Sequence, residues 1–454
     1  MIEVGHRLIL GRAPSAGLIA EVASGRLGVE RALTGLVASR EFEHRIRRQA
    51  EVAVIANRPQ ISTDLVDVAA LREAKSIDEH NAAAEEYFAS LGGAAAESLL
   101  AKPFADLAET TELLTCFAHL LAGLRPMRGM TVLDFGAGSC WTSWYFAQLG
   151  CKVIATDVSK SALDLGRERF RRWQTAGDQP TPEFLLFDGR RIDLPDASVD
   201  RVCCFDAFHH LSNQAEVLAE FARVLKPGGL AAFDEPGRNH SRTTQAQYEM
   251  RAYGVIEGDI DLHEMSAMAT AAELEFHAAN VFAVQPFWAG LAEFTDTVEH
   301  ALPSPAAQQH LARQLVNKQL FLLRKPGEEV PDSRDRAAIG GQISLDELTA
   351  VPGPDGLSVT IAVTAVNTGR AAWLPLSAGV GAVQIGLRLV GSTSWEGRLR
   401  FDTDEPIAPG DKSKVRGTVL LPAAAAGQEL HIDLVSESVA WFENLGIPPI
   451  RTRL

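Results

Sequence analysis

The segment Thr131-Val-Leu-Asp-Phe-Gly-Ala-Gly-Ser139 constrains the fold of this chain more than any other: an apolar run carrying Asp134 breaks into Gly136-x-Gly138. Glycine takes a left-handed turn at little cost and presents no side chain, so a ligand can approach the backbone of such a loop closely. A helix-like stretch, Trp141 to Leu149, leads to a second apolar run, Lys152-Val-Ile-Ala-Thr156, which ends on Asp157, 19 residues after Gly138. A carboxylate at that strand end is placed to accept hydrogen bonds from the two hydroxyls of a ribose. The alternation continues through 160–173, 183–187, 200–206, 212–225 and 230–235, which predicts a sheet with helices on both faces. Further on, the pattern predicts a helix near 267–278, a strand near 281–284, a helical insert up to Leu315 and a last strand over 319–324. A nicotinamide-type dinucleotide fold would need a third glycine three residues after Gly138. Position 141 is Trp, so that fold is excluded.

A chain of 454 residues has room for two to four domains. Its 46% hydrophobic and 22% charged content is that of a globular protein. No apolar run reaches the ~18 residues of a membrane span, and Met1-Ile-Glu-Val-Gly-His6 shows no basic stretch before an apolar core. A cytoplasmic protein is expected. The five cysteines, Cys116, Cys140, Cys151, Cys203 and Cys204, show no paired C-x-x-C spacing and have apolar neighbours, so they read as buried thiols. The net charge of −15 lies in the middle of the chain and argues against a nucleic acid substrate. The basic run Arg167 to Arg172 reads as the solvated face of a helix.

Three parts are expected. Residues 1–58 form a small helical docking module of short apolar-periodic pieces. Residues 59–327 form the central domain, with a helical lead-in over 59–128 and an α/β core over 129–327. A polar linker, Lys325 to Arg336, precedes residues 343–454, where the period changes to strands alone: 357–366, 383–390, 414–421 and 429–435, with Asn367-Thr-Gly369 and Pro409-Gly410 as turns. That pattern predicts an all-β sandwich.

The central domain resembles the class I S-adenosylmethionine (SAM)-dependent methyltransferases, in particular the type 11 group. Asp134-x-Gly136-x-Gly138 matches their first motif, Asp157-Val-Ser159 their ribose-binding strand end, Phe187-Asp188-Gly189 their adenine-side loop, and Leu225-Lys-Pro-Gly-Gly229 the turn before their fifth strand. The resemblance implies a Rossmann-like core with SAM as cofactor. Asp134, Gly136 and Gly138 would serve its amino-acid end, Asp157 the ribose, and Val158, Asp188 and Gly189 the adenine, with Phe205 under the methionine moiety. Around Arg7-Leu-Ile-Leu-Gly-Arg12 and Ala38-Ser-Arg-Glu-Phe42 the N-terminal part resembles a domain of unknown function related to phycobilisome linkers. The C-terminal part, with Trp373, Trp395 and Trp441, resembles immunoglobulin-like modules of polysaccharide-processing proteins.

Methyl transfer to a hydroxyl needs a base, and histidine titrates near neutral pH. His209, His210, Glu235 and His240 are the candidate catalytic residues, with Glu257 and His263 in the same pool; no regular ligand spacing points to a metal. The expected reaction is O-methylation of a sugar hydroxyl in a bacterial surface polysaccharide or its precursor. A natural product or protein acceptor is the first alternative and a non-catalytic SAM-binding scaffold the second. The expected partners are a glycan or small-molecule acceptor and a protein docked through an outer module, without nucleic acid or a transmembrane segment.

Overall fold

A computed structural model describes residues 14–37, 65–173, 181–328, 331–390 and 396–454. Most of the N-terminal module's motifs, Arg7 to Arg12 and Ala38 to Phe42, and also Trp395, lie outside the described residues. Its two described helices are α1 (Ala16–Ala23) and α2 (Val29–Val37).

The lead-in is helical as expected: α3 (Val68–Ala74), α4 (Ile77–Ser90), α5 (Gly93–Ala101) and α6 (Leu107–Leu124). Ser76 and Glu79 start α4 with a reciprocal capping box. The core then runs β1 (Thr131–Phe135), α7 (Trp141–Gln148), β2 (Lys152–Asp157), α8 (Lys160–Arg172), β3 (Glu183–Leu186), β4 (Val199–Phe205), α9 (Gln214–Val224), β5 (Leu225–Pro236), α10 (Thr244–Tyr253), α11 (Leu262–Ala271), β6 (Glu275–Ala279), α12 (Leu291–His300), α13 (Pro305–Asn317) and β7 (Lys318–Arg324). Strand order is β3-β2-β1-β4-β5-β7-β6, with the first five parallel and β7 antiparallel to both neighbours. Order reverses between β1 and β4, and ligands of open α/β sheets bind at the carboxyl ends of the strands beside such a switch. Two apolar clusters cover the faces, one around Phe135, Phe208, Phe221 and Phe233, the other around Phe117, Trp141, Phe146 and Phe205. All five cysteines are buried and free. Among the described residues no helix is long and apolar enough to cross a membrane.

Two sequence expectations need correction in this domain. The helix expected over 267–278 starts earlier, at Leu262, because Asp261 accepts from the amides of His263 and Glu264 and caps it. It stops at Ala271, and the left-handed Glu273 turns the chain into β6. The apolar run 281–284 is therefore not the strand; Phe282 and Val284 pack against the cluster that contains α6. The basic run on α8 is only partly a solvated face. Arg169 is 2% exposed and donates to the carbonyls of Ser139, Lys102 and Leu99 at 2.7, 2.9 and 2.7 Å. It ties the lead-in to the glycine loop.

The C-terminal part holds a three-stranded sheet, β8 (Gln342–Gly353), β9 (Gly356–Val366) and β12 (Lys412–Leu421), and a sheet of β10 (Val383–Val390), β11 (Glu396–Leu399), β13 (Glu429–Ser436), β14 (Ala440–Trp441) and β15 (Ile450–Arg453). β9 alternates buried and partly exposed residues along its length, as expected of a strand with one face in a core. The apolar residues of both sheets form one cluster. Part of the expected linker belongs here: Ser333 is fully buried, donates to the Gly381 carbonyl, and Asp332 bridges to Ala372. The sandwich meets the central domain where Val380 lies against Gly129 and Arg334 approaches Asp200 at 3.8 Å. Gly129 precedes β1 and Asp200 opens β4, so this contact is at the amino ends of the strands.

Replacing Arg169 by Ala strips three buried carbonyls of a charged donor, and such bonds are worth about 1.5–3 kcal/mol each. Arg169→Ala is expected to lower the unfolding free energy by about 3 kcal/mol or more in urea titrations. It should also raise protease sensitivity in the lead-in before the core.

Candidate active site

At the carboxyl ends of β1, β2, β4 and β5 a cavity of about 430 Å³ opens, lined entirely by residues between Ile77 and Glu257. That volume is in the range of small-molecule sites, roughly 300–1,000 Å³. One end is built by the glycine loop. Gly136 and Gly138 have φ of 67° and 51°, and a Cβ on Gly136 would run into the Ala207 methyl. Only glycine fits there. Asp157, at the end of β2, is 8% exposed and lines the cavity. Its Oδ2 accepts from the Gly138 amide at 2.9 Å and its Oδ1 from the Ser159 amide at 2.8 Å, so it fixes both loops while each oxygen keeps a further lone pair. Burial pushes its pKa up to about 6, against these amide bonds, which lower it.

Val158, Phe187, Gly189 and Phe205 also line the cavity. Gly189 has φ of 89°, and a Cβ there would come within 2.6 Å of Asn81 and Ile77 of α4. α4 closes this end: Asn81 donates to the Asp188 carbonyl, and Glu85 accepts from Ser159 Oγ, Ser161 N and Ser161 Oγ at the start of α8. Two candidate cofactor residues do not reach the cavity with their carboxylates. Asp134 is buried behind the glycine loop, where Thr142 and Ser143 donate to it. Asp188 points its carboxylate at the amides of Arg190 and Arg191.

The other end carries the histidines. Glu235, fully buried, accepts from the amides of Ala207 and Phe208 on Oε1 and from the amide and Nδ1 of His209 on Oε2. His209 thus sits between two carboxylates, 2.7 Å from Glu235 and 3.6 Å from Glu257. Burial alone would lower its pKa; the hydrogen bond to Glu235 and the nearby Glu257 carboxylate together outweigh burial and raise it to about 10. His209 is therefore an imidazolium at neutral pH, unsuited to accept a proton. His210 is different. Its Nδ1 lies 2.6 Å from the Ile256 carbonyl, which can only accept, so Nδ1 carries the hydrogen and Nε2 keeps the lone pair. Burial and then the adjacent His209 cation hold its pKa below the usual histidine value. It lines the cavity with its side chain 43% exposed. His240 donates from Nε2 to Glu257 at 2.8 Å, and Gln245, Glu249 and Tyr87 complete this wall.

Of the candidate bases, the cavity brings together His209, His210 and His240, while Glu235 lies behind His209 and does not line it. Glu257 does line it, 3% exposed, and His263 does not. The donor atoms of His209, His210 and Glu257 lie within 4.8 Å of one another. Nδ1 of His209 faces Glu235 and Nδ1 of His210 faces the Ile256 carbonyl, so only the Nε2 atoms of the two rings are turned away from these partners. The two described tryptophans of the sandwich do not form an open stacking surface: Trp373 is 1% exposed, and Arg388 and Arg398 lie over the Trp441 ring at 4.1 and 4.7 Å.

Residues 133–233, from β1 into β5, match the model of a family described as a methyltransferase domain. The methyltransferase GfsG of Streptomyces halstedii is 30% identical over 203 residues, which cover 44% of this chain and 66% of that protein. The demethylmenaquinone methyltransferase of Renibacterium salmoninarum is 32% identical over 131 residues, 28% of this chain and 52% of that one. The 27-O-demethylrifamycin SV methyltransferase of Amycolatopsis mediterranei is 33% identical over 132 residues, 29% and 47% respectively. The chain thus spans about half to two thirds of the length of these relatives. An S-adenosylmethionine-dependent methyltransferase from Mesorhizobium loti overlays with a TM-score of 0.35 at 18% identity, covering 46% of this chain and 96% of that one.

Replacing Gly136 by Ala forces a side chain into a left-handed turn and onto Ala207. Gly136→Ala is expected to weaken S-adenosylhomocysteine binding at least about tenfold, or about 1.4 kcal/mol, in titration calorimetry, with little change in the far-UV spectrum.

Proposed function

We propose that this chain is a SAM-dependent O-methyltransferase whose acceptor is a neutral, polyhydroxylated molecule, such as a sugar of a surface polysaccharide. The carrying observation is one cavity that holds a glycine loop with Asp157 at one end and His210, with Nε2 unengaged, at the other. SAM fits the first end by its chemistry. Asp157 would accept from the ribose hydroxyls, Val158 and Phe187 would flank the adenine with Gly189 giving it room, and the loop backbone at Gly136 and Gly138 would hold the amino-acid tail. Bound SAM supplies a methyl already made electrophilic by its sulfonium, so the protein's own work is alignment and proton removal. His210 Nε2 would take the proton of the acceptor hydroxyl.

The acceptor end favours a neutral partner. Among the described residues Glu249 and Glu257 line it and no arginine does; the one lysine of that lining, Lys102, comes from the lead-in. Hydroxyls find acceptors and donors there in His210, His240, Gln245 and Glu249. A second reading, a natural-product acceptor, is favoured by the names of the rifamycin-type relative and its kind. A scaffold without catalysis fits less well, because the cofactor loop and a free-base histidine share one cavity. The sandwich would dock a glycan or a protein partner.

Two measurements check this reading. Asp157→Ala should cost about 1.5–3 kcal/mol of S-adenosylhomocysteine affinity. The wild type should lose affinity as pH falls through about 6, the Asp157 value, because protonation removes the ribose acceptor; Asp157→Ala should lack that dependence. Equal affinity in both proteins at pH 7.5 would overturn the ribose assignment. A chain ending at residue 328 should keep its S-adenosylhomocysteine affinity within about twofold, or about 0.4 kcal/mol, since among the described residues none beyond Glu257 lines the cavity.

A further inference from the structure

Three imidazoles meet one buried carboxylate at the acceptor end. Glu257 Oε2 lies 2.8 Å from His240 Nε2 and 3.6 Å from His209 Nε2, and Glu257 Oε1 lies 3.3 Å from His210 Nδ1. The segment that carries Glu257 is pinned to the same histidines by its backbone: the Ile256 carbonyl accepts from His210 Nδ1, and the Gly258 amide donates to the His209 carbonyl. His209 is in turn held from behind by Glu235. His210 and His240 end in opposite tautomers. His210 bears its hydrogen on Nδ1, and His240 bears one on Nε2, toward the carboxylate. Among the described residues His210 Nε2 and His240 Nδ1 have no hydrogen-bond partner.

We infer that Glu257 is a positioning residue for the methyl transfer: its carboxylate gathers His209 and His240 and holds His240 in one tautomer, while the Ile256 carbonyl beside it holds His210, so that His210 and His240 each keep one ring nitrogen for the acceptor. The inference rests on the hydroxyl-acceptor reading above and adds the second imidazole to it. An acceptor offering two neighbouring hydroxyls would engage both nitrogens, with His210 taking the proton and His240 holding the adjacent group. Glu257 touches neither methyl nor acceptor oxygen in this scheme. Its carboxylate acts through the rings, and the charges that face them are Glu235 behind His209, Asp206 at the end of β4 and the His209 cation itself. A neutral Gln at 257 keeps the size and loses the charge that holds His209 protonated on both nitrogens.

The test reads the rings directly and needs no acceptor. The full chain, labelled with ¹⁵N-histidine, is titrated by NMR as wild type, Glu257→Gln and Glu257→Asp, with each ring assigned by a His→Gln variant. The wild type should show His210 as a single Nδ1–H tautomer, His240 with its hydrogen on Nε2, and His209 protonated through neutral pH. In Glu257→Gln the apparent pKa of His209 should fall by about one unit or more, since one of its two carboxylate partners is lost, and the His240 tautomer should become mixed, while His210, held by the Ile256 carbonyl, keeps its hydrogen on Nδ1. Glu257→Asp should restore part of the order. An unchanged His240 tautomer and an unchanged His209 titration in Glu257→Gln would overturn the inference. So would a shift of the three wild-type rings at one equivalent of Zn²⁺, which would make the cluster a metal site. S-adenosylhomocysteine calorimetry on the same samples separates the readings: failure of the wild type to bind would sink the methyltransferase proposal and leave the ring result standing.

Discussion

The acceptor end of the cavity depends on the burial of Glu235. A carboxylate removed from water costs several kcal/mol unless nearly every lone pair finds a donor, and here three consecutive backbone amides, at Ala207, Phe208 and His209, turn inward to supply them. That demand shapes the chain after β4 into the short turn Phe208–His210. The His209 ring is the fourth donor. A residue on β5 thus dictates the path of the loop after β4, and through His209 it dictates where Glu257 and the histidine cluster can stand.

The end of the cavity proposed for the cofactor is the more legible in the sequence because its signals are local. Gly136 and Gly138 announce a turn without side chains, Asp157 follows at a strand length and a helix length, and Gly189 sits just past a strand end; all line the cavity. Asp134 and Asp188 share the same motifs, yet their carboxylates face Thr142 and Ser143 in one case and two amides in the other. A motif places a residue on the backbone; it does not say which way the side chain turns. The alternation of strand and helix along the chain followed from the change of period, and the displaced helix at Leu262–Ala271 shows the limit of that signal, since Asp261 and Glu273 set its ends rather than the apolar spacing.

What sequence could not supply were partners far apart in the chain. Arg169 lies in a run of charge that reads as solvated, and its burial depends on three carbonyls contributed by the lead-in and the glycine loop, 30 to 70 positions away. The separate roles of His209 and His210 are equally invisible, although they are adjacent. One ring is flanked by Glu235 and Glu257 and holds a cation; the other meets a carbonyl and keeps a lone pair. Trp373 and Trp441 carry the same lesson: stacking surface in a sequence becomes core in one case and an arginine clasp in the other.

Val380 against Gly129 and Arg334 near Asp200 join the sandwich to the amino ends of the strands, while the cavity opens at their carboxyl ends. The depth of the sheet therefore separates the two, and a small ligand cannot touch both at once. Whatever the sandwich holds, the mouth of the cavity faces away from it. The molecule thus carries its sandwich and its cavity on opposite edges of one sheet, so that a change at the sandwich reaches the cavity only through the length of the strands.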